Sequence, residues 1–318
     1  VKVFEIYQAA TLEELAGLVD SKAATATYRE AIYREVNENL DRQKESLLPL
    51  LDGTANIEDL YPVSDIERGM LFISLMNPGE ALYHDQFVGR LPKTFDAALV
   101  RQAYELLAAK HSILRTGFRM GINDQDVQIV YRSVQVDVPV FDLQHLSGHE
   151  VKTTVEQYLR EERTRPFVIE EAPLWRAALF TVKDHQLLVF QFHHAILDGW
   201  SVASLNTELY GLCAALLSNQ TPGALSPLRS SYKDYIIESL VTKKLDENRN
   251  FWSRELSEYK RLEIFTEEPV LQVLNYQFNE QDVAVLKERV RKDNLSLKGL
   301  ALGAYLYTLA QLTYEEDL

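Results

Sequence analysis

Two adjacent histidines stand at the end of an apolar run, among neighbours that could take part in chemistry. The segment LLVFQFHHAILDGWS, residues 187–201, places His193 and His194 after a predicted buried strand, with Asp198 and Gly199 shortly behind them. Because successive strand residues point to opposite faces of a sheet, we expect one histidine to be structural and the other to face a pocket. Imidazole titrates near neutral pH, so it can accept a proton from a reacting amine or hydroxyl.

Two other kinds of site fit this segment less well. A zinc site needs three or four ligands, and no third histidine or cysteine stands near His194 and Asp198. A serine hydrolase built on a nucleophile elbow needs the sequence G-x-S-x-G, which this chain lacks, and Ser201 is interpreted as the N-cap of the next helix. We therefore expect no bound metal and favour a single histidine acting on a nucleophile that enters from outside.

The composition disfavours several other classes of function. The 318 residues carry 33 Lys and Arg against 47 Asp and Glu, a net charge of −14, which argues against a general nucleic-acid surface. No apolar run is long enough for a membrane span, and no signal peptide is visible. The only cysteine, Cys213, lies in an apolar helical pattern and is predicted to be a buried hydrophobe. Together these features predict a cytoplasmic protein.

Hydrophobic periodicity predicts strands and helices that are mixed without a strict alternation. Strands are predicted at 134–140, 174–182, 187–192 and 270–278. Helices are predicted at 95–114, 151–165, 201–217, 231–240, 245–257, 280–293 and 296–313. A short helix capped by Thr11 precedes a weakly helical segment at about 28–48. This arrangement predicts an α/β sandwich with mixed strand order.

The segment HHAILDGWS resembles the central motif of the condensation domains of nonribosomal peptide synthetases, which form part of the chloramphenicol-acetyltransferase-like superfamily. Its H-H-x-x-x-D-G spacing is uncommon by chance. Three further segments are similar to motifs of that family and follow in the same order: SDIERGMLF (64–72), KHSILRTGF (110–118) and YKDYIIES (232–239). Glu67 and Lys110 depart from the family pattern, which more often has glutamine and arginine there.

The resemblance implies a fold of two chloramphenicol-acetyltransferase-like lobes with a tunnel between them. Residues 57–230 are expected to form a complete N-terminal lobe, and residues 231–318 the start of a C-terminal lobe that is cut short. Residues 1–20 are similar to the last part of a carrier domain, and residues 21–56 are interpreted as a linker helix. The predicted fold class is an α/β sandwich with its first lobe complete and its second lobe partial.

The resemblance also implies roles for the residues of the motif. His194 and Gly199 are expected to be catalytic. The histidine takes the proton of an attacking amine or orients that amine, and the glycine lets the substrate approach the backbone closely. His193 is expected to be structural, and Asp198 to form a buried ion pair with Arg115.

Two more residues are expected to line the tunnel. These are Trp200 and Ser201. For Trp200, packing in the hydrophobic core is the alternative to a position in the tunnel wall. Both follow the motif directly, so they lie close to any substrate that reaches the histidine pair.

The activity implied by the resemblance is formation of an amide bond between a donor acyl or peptidyl thioester and an acceptor aminoacyl thioester. Both substrates would be tethered to carrier proteins by phosphopantetheine arms, so no bound cofactor is expected. The expected partners are upstream and downstream peptidyl carrier proteins and adjacent synthetase domains, but neither nucleic acid nor a membrane. Two alternatives stay open: a free-standing acyltransferase of the same superfamily, and a non-catalytic fragment that docks carriers.

Overall fold

The computed structural model describes residues 11–220, 226, 228–259 and 274–314. The chain divides into two compact units, Val1–Asp246 and Glu247–Leu318. The helices are α1 (Leu12–Leu47), α2 (Asp65–Met76), α3 (Ala97–Lys110), α4 (Gly148–Arg163), α5 (Gly199–Leu217), α6 (Tyr232–Lys244), α7 (Asp246–Glu255), α8 (Glu280–Lys292) and α9 (Leu297–Thr313). The strands are β1 (Ile57–Pro62), β2 (His84–Leu91), β3 (Thr116–Ile122), β4 (Gln125–Tyr131), β5 (Val140–Asp142), β6 (Trp175–Thr181) and β7 (Gln186–His193).

Two β-sheets form the framework of the first unit. One sheet has the strand order β1-β4-β3, and the other has the order β2-β7-β6-β5. Paired strands run antiparallel, except that β5 is parallel to β6. Strand β2 lies at the edge of its sheet and pairs with β7 from His84, opposite His193, to Leu91, opposite Gln186. The first residues of β2 therefore lie beside the last residues of β7.

Strand β7 is apolar because the sheet is packed on both faces. Phe190 and Phe192 belong to a core that also contains Tyr104 of α3 and Leu209 of α5. Val189 points to the opposite face and belongs to a second cluster that includes residues of α4. Alternate side chains of a strand point to opposite faces, so both faces of β7 must be hydrophobic here. This packing fixes the end of β7, where the histidine pair stands.

Helix α1 is one continuous helix of 36 residues, not a short helix followed by a weakly helical segment. The predicted separation of the two is therefore wrong. The segment contains no proline, and Gly17 alone costs about 1 kcal/mol, which is too little to end a helix. Further along the helix, Ile32 and Val36 pack with Val241 of α6, so tertiary contacts support this part of α1.

The predicted strand at 134–140 is wrong except for its last residue, Val140, which begins β5. The alternating valines do reach the core, because Val138 is buried and Val134 and Val136 pack against the same cluster. They lie outside any strand, however. Pro139 has no N–H to donate to a sheet, which weakens the segment as a strand. The alternation of valines therefore indicated that these side chains are buried, but not that the segment pairs as a strand.

The predicted strand at 270–278 is wrong where it can be compared. Its first part, 270–273, lies outside the described residues, and 274–278 are in no strand. Leu274, Tyr276 and Phe278 are exposed, so the apolar residues of 274–278 are not buried as those of a core strand would be.

The other predicted elements are confirmed to within a few residues at each end. Strands β6 and β7 occupy the predicted strands at 174–182 and 187–192, and α3 to α9 occupy the predicted helical segments. Cys213 of α5 is buried, as predicted. No helix within the described ranges combines the length and apolar composition that crossing a lipid bilayer requires.

Candidate active site

An open cavity of about 1080 Å³ lies in the first unit beside the end of β7. The end of α3 and the starts of α2, α5 and α6 also line it. Most of the residues predicted for the site line it, namely His194, Asp198, Trp200, Ser201 and Arg115. The other two predicted residues, His193 and Gly199, are direct chain neighbours of lining residues. The sequence motif therefore marks a real cavity.

His194 follows the last residue of β7 and is held at two points by the start of β2. Its backbone N–H donates to the carbonyl of Tyr83 at 2.7 Å. Its Nδ1 lies 2.5 Å from Oδ2 of Asp85. The side chain is 35 % exposed, so it is fixed by these contacts and still open to the cavity. A half-exposed imidazole that is held in this way can act on a molecule in the cavity.

His193 is buried, as its predicted structural role requires. Its Nδ1 accepts a hydrogen bond from the backbone N–H of Ala195 at 3.1 Å. That nitrogen is therefore unprotonated, so Nε2 carries the proton and donates to Oγ of Ser74 at 3.0 Å. Burial, followed by repulsion from His84 and His194, lowers the pKa of His193 to about 4. The ring is neutral at neutral pH and joins β7 to α2.

Asp198 is the N-cap of α5, and this position contradicts two predictions. Its Oδ1 accepts hydrogen bonds from both the backbone N–H and the Oγ of Ser201, each at 2.7 Å. These bonds lower the pKa of the Asp198 carboxyl. The interpretation of Ser201 as the N-cap is wrong, because the helix begins at Gly199 and Ser201 lies inside its first turn. An aspartate three residues earlier caps at least as well as a serine.

The predicted ion pair between Asp198 and Arg115 is also wrong. The buried guanidinium of Arg115 donates from Nη1 to Oε2 of Glu58 at 2.7 Å. It also donates to two backbone carbonyls, that of Ala108 at 2.6 Å and that of Tyr131. Arg115 thus ties together the end of α3, the start of β1 and the end of β4. Asp198 therefore caps its own helix, and Arg115 pairs with a carboxylate on β1 instead.

Gly199 and Trp200 occupy the first turn of α5. No protein atom lies within 4 Å of the place where a Cβ on Gly199 would stand, so packing does not require glycine there. Its proposed role towards a substrate stays a prediction. Trp200 is 85 % exposed and lines the cavity, so the alternative of core packing is wrong.

A second cluster of titratable side chains lines the cavity at the end of α3. Glu208 of α5 accepts hydrogen bonds from Lys110 Nζ and His111 Nε2, both at 2.9 Å. Burial raises the pKa of Glu208, but these two bonds outweigh it and the pKa is lowered. Among the residues that the structure describes, no three His, Cys, Asp or Glu side chains gather as a metal ion would require. The cluster instead ties α3 to α5 across the cavity.

Asp85, Tyr83 and Glu58 contact predicted site residues and were missed by the sequence analysis. Asp85 is 109 positions from His194, and no motif marks it. Only the register of β2 against β7, with Asp85 opposite Phe192, brings it beside the histidine. The periodicity of one chain does not give the register of distant strands.

Replacing Asp198 with alanine is expected to destabilise the first unit by about 1 kcal/mol, because α5 loses its N-cap. Asp198→Asn should recover most of this loss, since asparagine caps as well as aspartate. Urea unfolding measures both changes. Asp96→Ala is the matched control, because Asp96 caps α3 in the same way, by accepting from the N–H of Leu99 at 2.8 Å. An asparagine variant as unstable as the alanine variant would mean that the charge, and not the cap, matters.

The family model for the condensation domain matches residues 57–318. A linear gramicidin synthase of Brevibacillus parabrevis is 28 % identical over 274 residues, which are 83 % of this chain and 5 % of that protein. Bacitracin synthase 3 of Bacillus licheniformis is 28 % identical over 207 residues, 64 % of this chain and 3 % of that protein. The chain therefore spans a small part of the length of these curated relatives.

Solved structures show the same fold. The first condensation domain of the calcium-dependent antibiotic synthetase, in complex with a substrate analogue, has a TM-score of 0.65 at 14 % identity, covering 83 % of this chain and 64 % of that chain. The starter condensation domain of the rhizomide synthetase RzmA has a TM-score of 0.56 at 17 % identity, covering 68 % and 52 %. The predicted chloramphenicol-acetyltransferase-like α/β sandwich is confirmed.

Proposed function

Since the chain belongs to the condensation-domain family, we propose that it takes part in forming the amide bond of a nonribosomal peptide. The donor is an acyl or peptidyl thioester and the acceptor an aminoacyl thioester, each tethered to a carrier protein. The observation that carries this proposal is the position of His194, which lines a cavity of about 1080 Å³ while its Nδ1 is held by a carboxylate. A large open cavity with one fixed, half-exposed imidazole suits a reaction between two substrates that enter from outside.

In the proposed reaction, the nitrogen of the acceptor amine attacks the thioester carbonyl of the donor. A C–N bond forms, the C–S bond breaks, and the phosphopantetheine of the donor leaves as a thiol. His194 either takes the proton of the amine, which then passes to the sulfur, or accepts a hydrogen bond that orients the amine. Both roles need an unprotonated ring nitrogen on the cavity side. Holding the two tethered substrates end to end contributes rate by itself, because it removes the entropy cost of their encounter.

The thioester is already activated, so the proposal includes no bound cofactor, and the phosphopantetheine arms enter as substrates. The partners are peptidyl carrier proteins upstream and downstream, together with adjacent synthetase domains. The match of the family model from residue 57 onward supports residues 57–230 as a first lobe and 231–318 as the start of a second. The preceding residues 21–56 and 1–20 are proposed as a linker and as the end of a carrier domain. The buried, unpaired thiol of Cys213 fits a reducing cytoplasm.

The experiment uses the full-length product of the gene, an acceptor carrier loaded with an aminoacyl group, and one of two donors. The same acyl group is supplied on a carrier or on coenzyme A, and intact-protein mass spectrometry follows the acceptor carrier. Amide product from the carrier-bound donor supports the proposal. Efficient transfer from coenzyme A instead would favour a free-standing acyltransferase, and carrier binding without any product would favour a docking scaffold.

A further inference from the structure

We propose that Asp85 is a positioning residue that fixes which ring nitrogen of His194 faces the cavity. The inference rests on the proposed function for its kinetic consequence, but the orientation of the ring is a property of the folded chain alone. Asp85 Oδ2 lies 2.5 Å from His194 Nδ1, and this contact defines the orientation of the ring.

The register of the sheet places this contact. Asp85 pairs with Phe192 across β2 and β7, so the position two residues beyond Phe192 is its diagonal neighbour on the same face. That position is His194, whose backbone N–H donates to the carbonyl of Tyr83 at 2.7 Å. The segment that leads into β2 therefore holds the backbone of the histidine, and β2 itself holds the ring.

The charge of Asp85 selects one tautomer of the neutral imidazole. An ionised carboxylate can only accept hydrogen bonds, so Nδ1 must carry the proton and donate it. Nε2 then carries the lone pair, and it is the ring nitrogen that remains for a molecule in the cavity. The opposite tautomer would set a lone pair against a negative charge. When Nε2 accepts a proton, the resulting imidazolium is stabilised by the same carboxylate.

A buried polar network holds the start of β2 from the other face of the sheet. Nε2 of His84, the neighbour of Asp85, lies 2.9 Å from Oε1 of Gln191. The amide of Gln191 donates to Glu162 Oε2 at 2.9 Å, and the same oxygen lies 3.3 Å from Arg176 Nε. Buried side chains with this many partners do not shift easily. They give Asp85 a fixed backbone from which to reach His194.

Tyr83 adds a second sign that this segment is constrained. Its φ of 59° lies in the left-handed region, which is unfavourable for an aromatic residue. The ring of Tyr83 lies 6.5 Å from that of His194, at an interplanar angle of 27°, and 6.3 Å from that of His193. Such a conformation persists only where the surroundings enforce it. Here it directs the carbonyl of Tyr83 towards the backbone of His194.

The direct test is the protonation of the His194 ring, measured by ¹⁵N NMR on histidine-labelled protein and assigned with His194→Gln. In the wild-type protein, at a pH where the ring is neutral, Nδ1 is expected to be protonated and Nε2 not. Asp85→Ala should lose this preference and move the ring towards the tautomer protonated at Nε2. Asp85→Leu, which is of similar size and cannot accept a hydrogen bond, carries the test if the alanine variant does not fold. Asp137→Asn, at an exposed position, is the matched control and should change nothing.

The kinetic test uses the full-length gene product and its carrier-bound substrates. Asp85→Ala and Asp85→Asn should lower kcat about 10- to 100-fold with KM within threefold, and Asp85→Glu should restore part of the loss. The other titratable groups near the ring are His193 on β7 and Asp198 at the start of α5, and both are unchanged in these variants.

The outcomes separate the two proposals. An unchanged tautomer in the alanine variant, or in the leucine variant where the alanine variant does not fold, would overturn the positioning role, whatever the activity. A changed tautomer with kcat unaltered would overturn its kinetic consequence. If the tautomer changes as expected but the wild-type protein makes no amide, the proposed function fails and the positioning of His194 by Asp85 stands.

Discussion

Replacing His194 with alanine is expected to lower the rate of amide formation by about 100- to 10,000-fold, the range that proton transfer by a positioned side chain contributes. His194 lines the cavity and offers it a ring nitrogen whose orientation is fixed from the other side. Its removal leaves the cavity and the sheet intact, because the side chain is 35 % exposed and contributes little to the core. Single-turnover kinetics with loaded carriers measures the rate, and binding of the same carriers is measured separately.

The control for this change is His149→Ala, at an exposed position in the first turn of α4. This variant should retain the wild-type rate, since the residue lies outside the cavity lining. His194→Gln keeps a polar side chain but cannot exchange a proton at neutral pH, so it should be nearly as slow as the alanine variant if proton transfer matters. A glutamine variant with close to the wild-type rate would assign His194 to orientation alone. An alanine variant within threefold of the wild-type rate would contradict any role in the reaction.

His193 is expected to make the stability of the first unit fall as the pH drops from 6.5 to about 4. Burial holds its folded-state pKa at about 4, against 6.5 for the free side chain. Between these values the unfolded chain binds a proton that the folded chain does not, so the free energy of unfolding rises with pH. The full contribution is present above pH 6.5 and has been lost at pH 4. This difference in pKa between the folded and unfolded states corresponds to a change of about 3 kcal/mol in the free energy of unfolding.

The measurement is urea unfolding of the wild-type protein and of His193→Gln at several pH values between 4 and 7.5. Carboxyl groups also titrate near the lower end, so the quantity compared is the difference between the two proteins. This difference should change by about 3 kcal/mol across the window, while His149→Gln, which alters an exposed histidine, should follow the wild-type curve. Parallel curves for wild type and His193→Gln would refute the assignment of a buried, neutral ring.

The sequence predicted the elements that carry the strongest periodicity and the segment where the cavity lies. Strand β7 reads as a continuous apolar run because both faces of its sheet are packed. Helix α5 reads as an amphipathic helix because one of its faces packs in the core. The alternation of strand side chains also separated His193 from His194 correctly, since one is buried and the other lines the cavity. Local patterns of this kind depend on a few neighbouring residues, which a single sequence contains.

The partners of the site residues could not be predicted in the same way. From the sequence, Asp198 could act as a helix N-cap or as an ion-pair partner. In the structure it is the N-cap, and its carboxylate accepts hydrogen bonds from the backbone N–H and the hydroxyl of Ser201. Arg115 pairs instead with Glu58, which lies 57 positions away in the sequence. Asp85 reaches His194 only through the pairing of two distant strands. The contacts of Arg115 and His194 depend on tertiary structure, which hydrophobic periodicity does not specify.

If the reacting amine of the acceptor lies beside Nε2 of His194, an electrophile placed at the position of the amine should react with that nitrogen. A carrier bearing an α-bromoacyl group on its phosphopantetheine places an alkylating carbon where the amine would stand. Peptide mapping of the full-length gene product after incubation then identifies the labelled side chain. We expect alkylation of His194, loss of this label in His194→Gln, and no label on the buried His193. Labelling of His111, which also lines the cavity, with His194 unmodified would contradict this position of the amine.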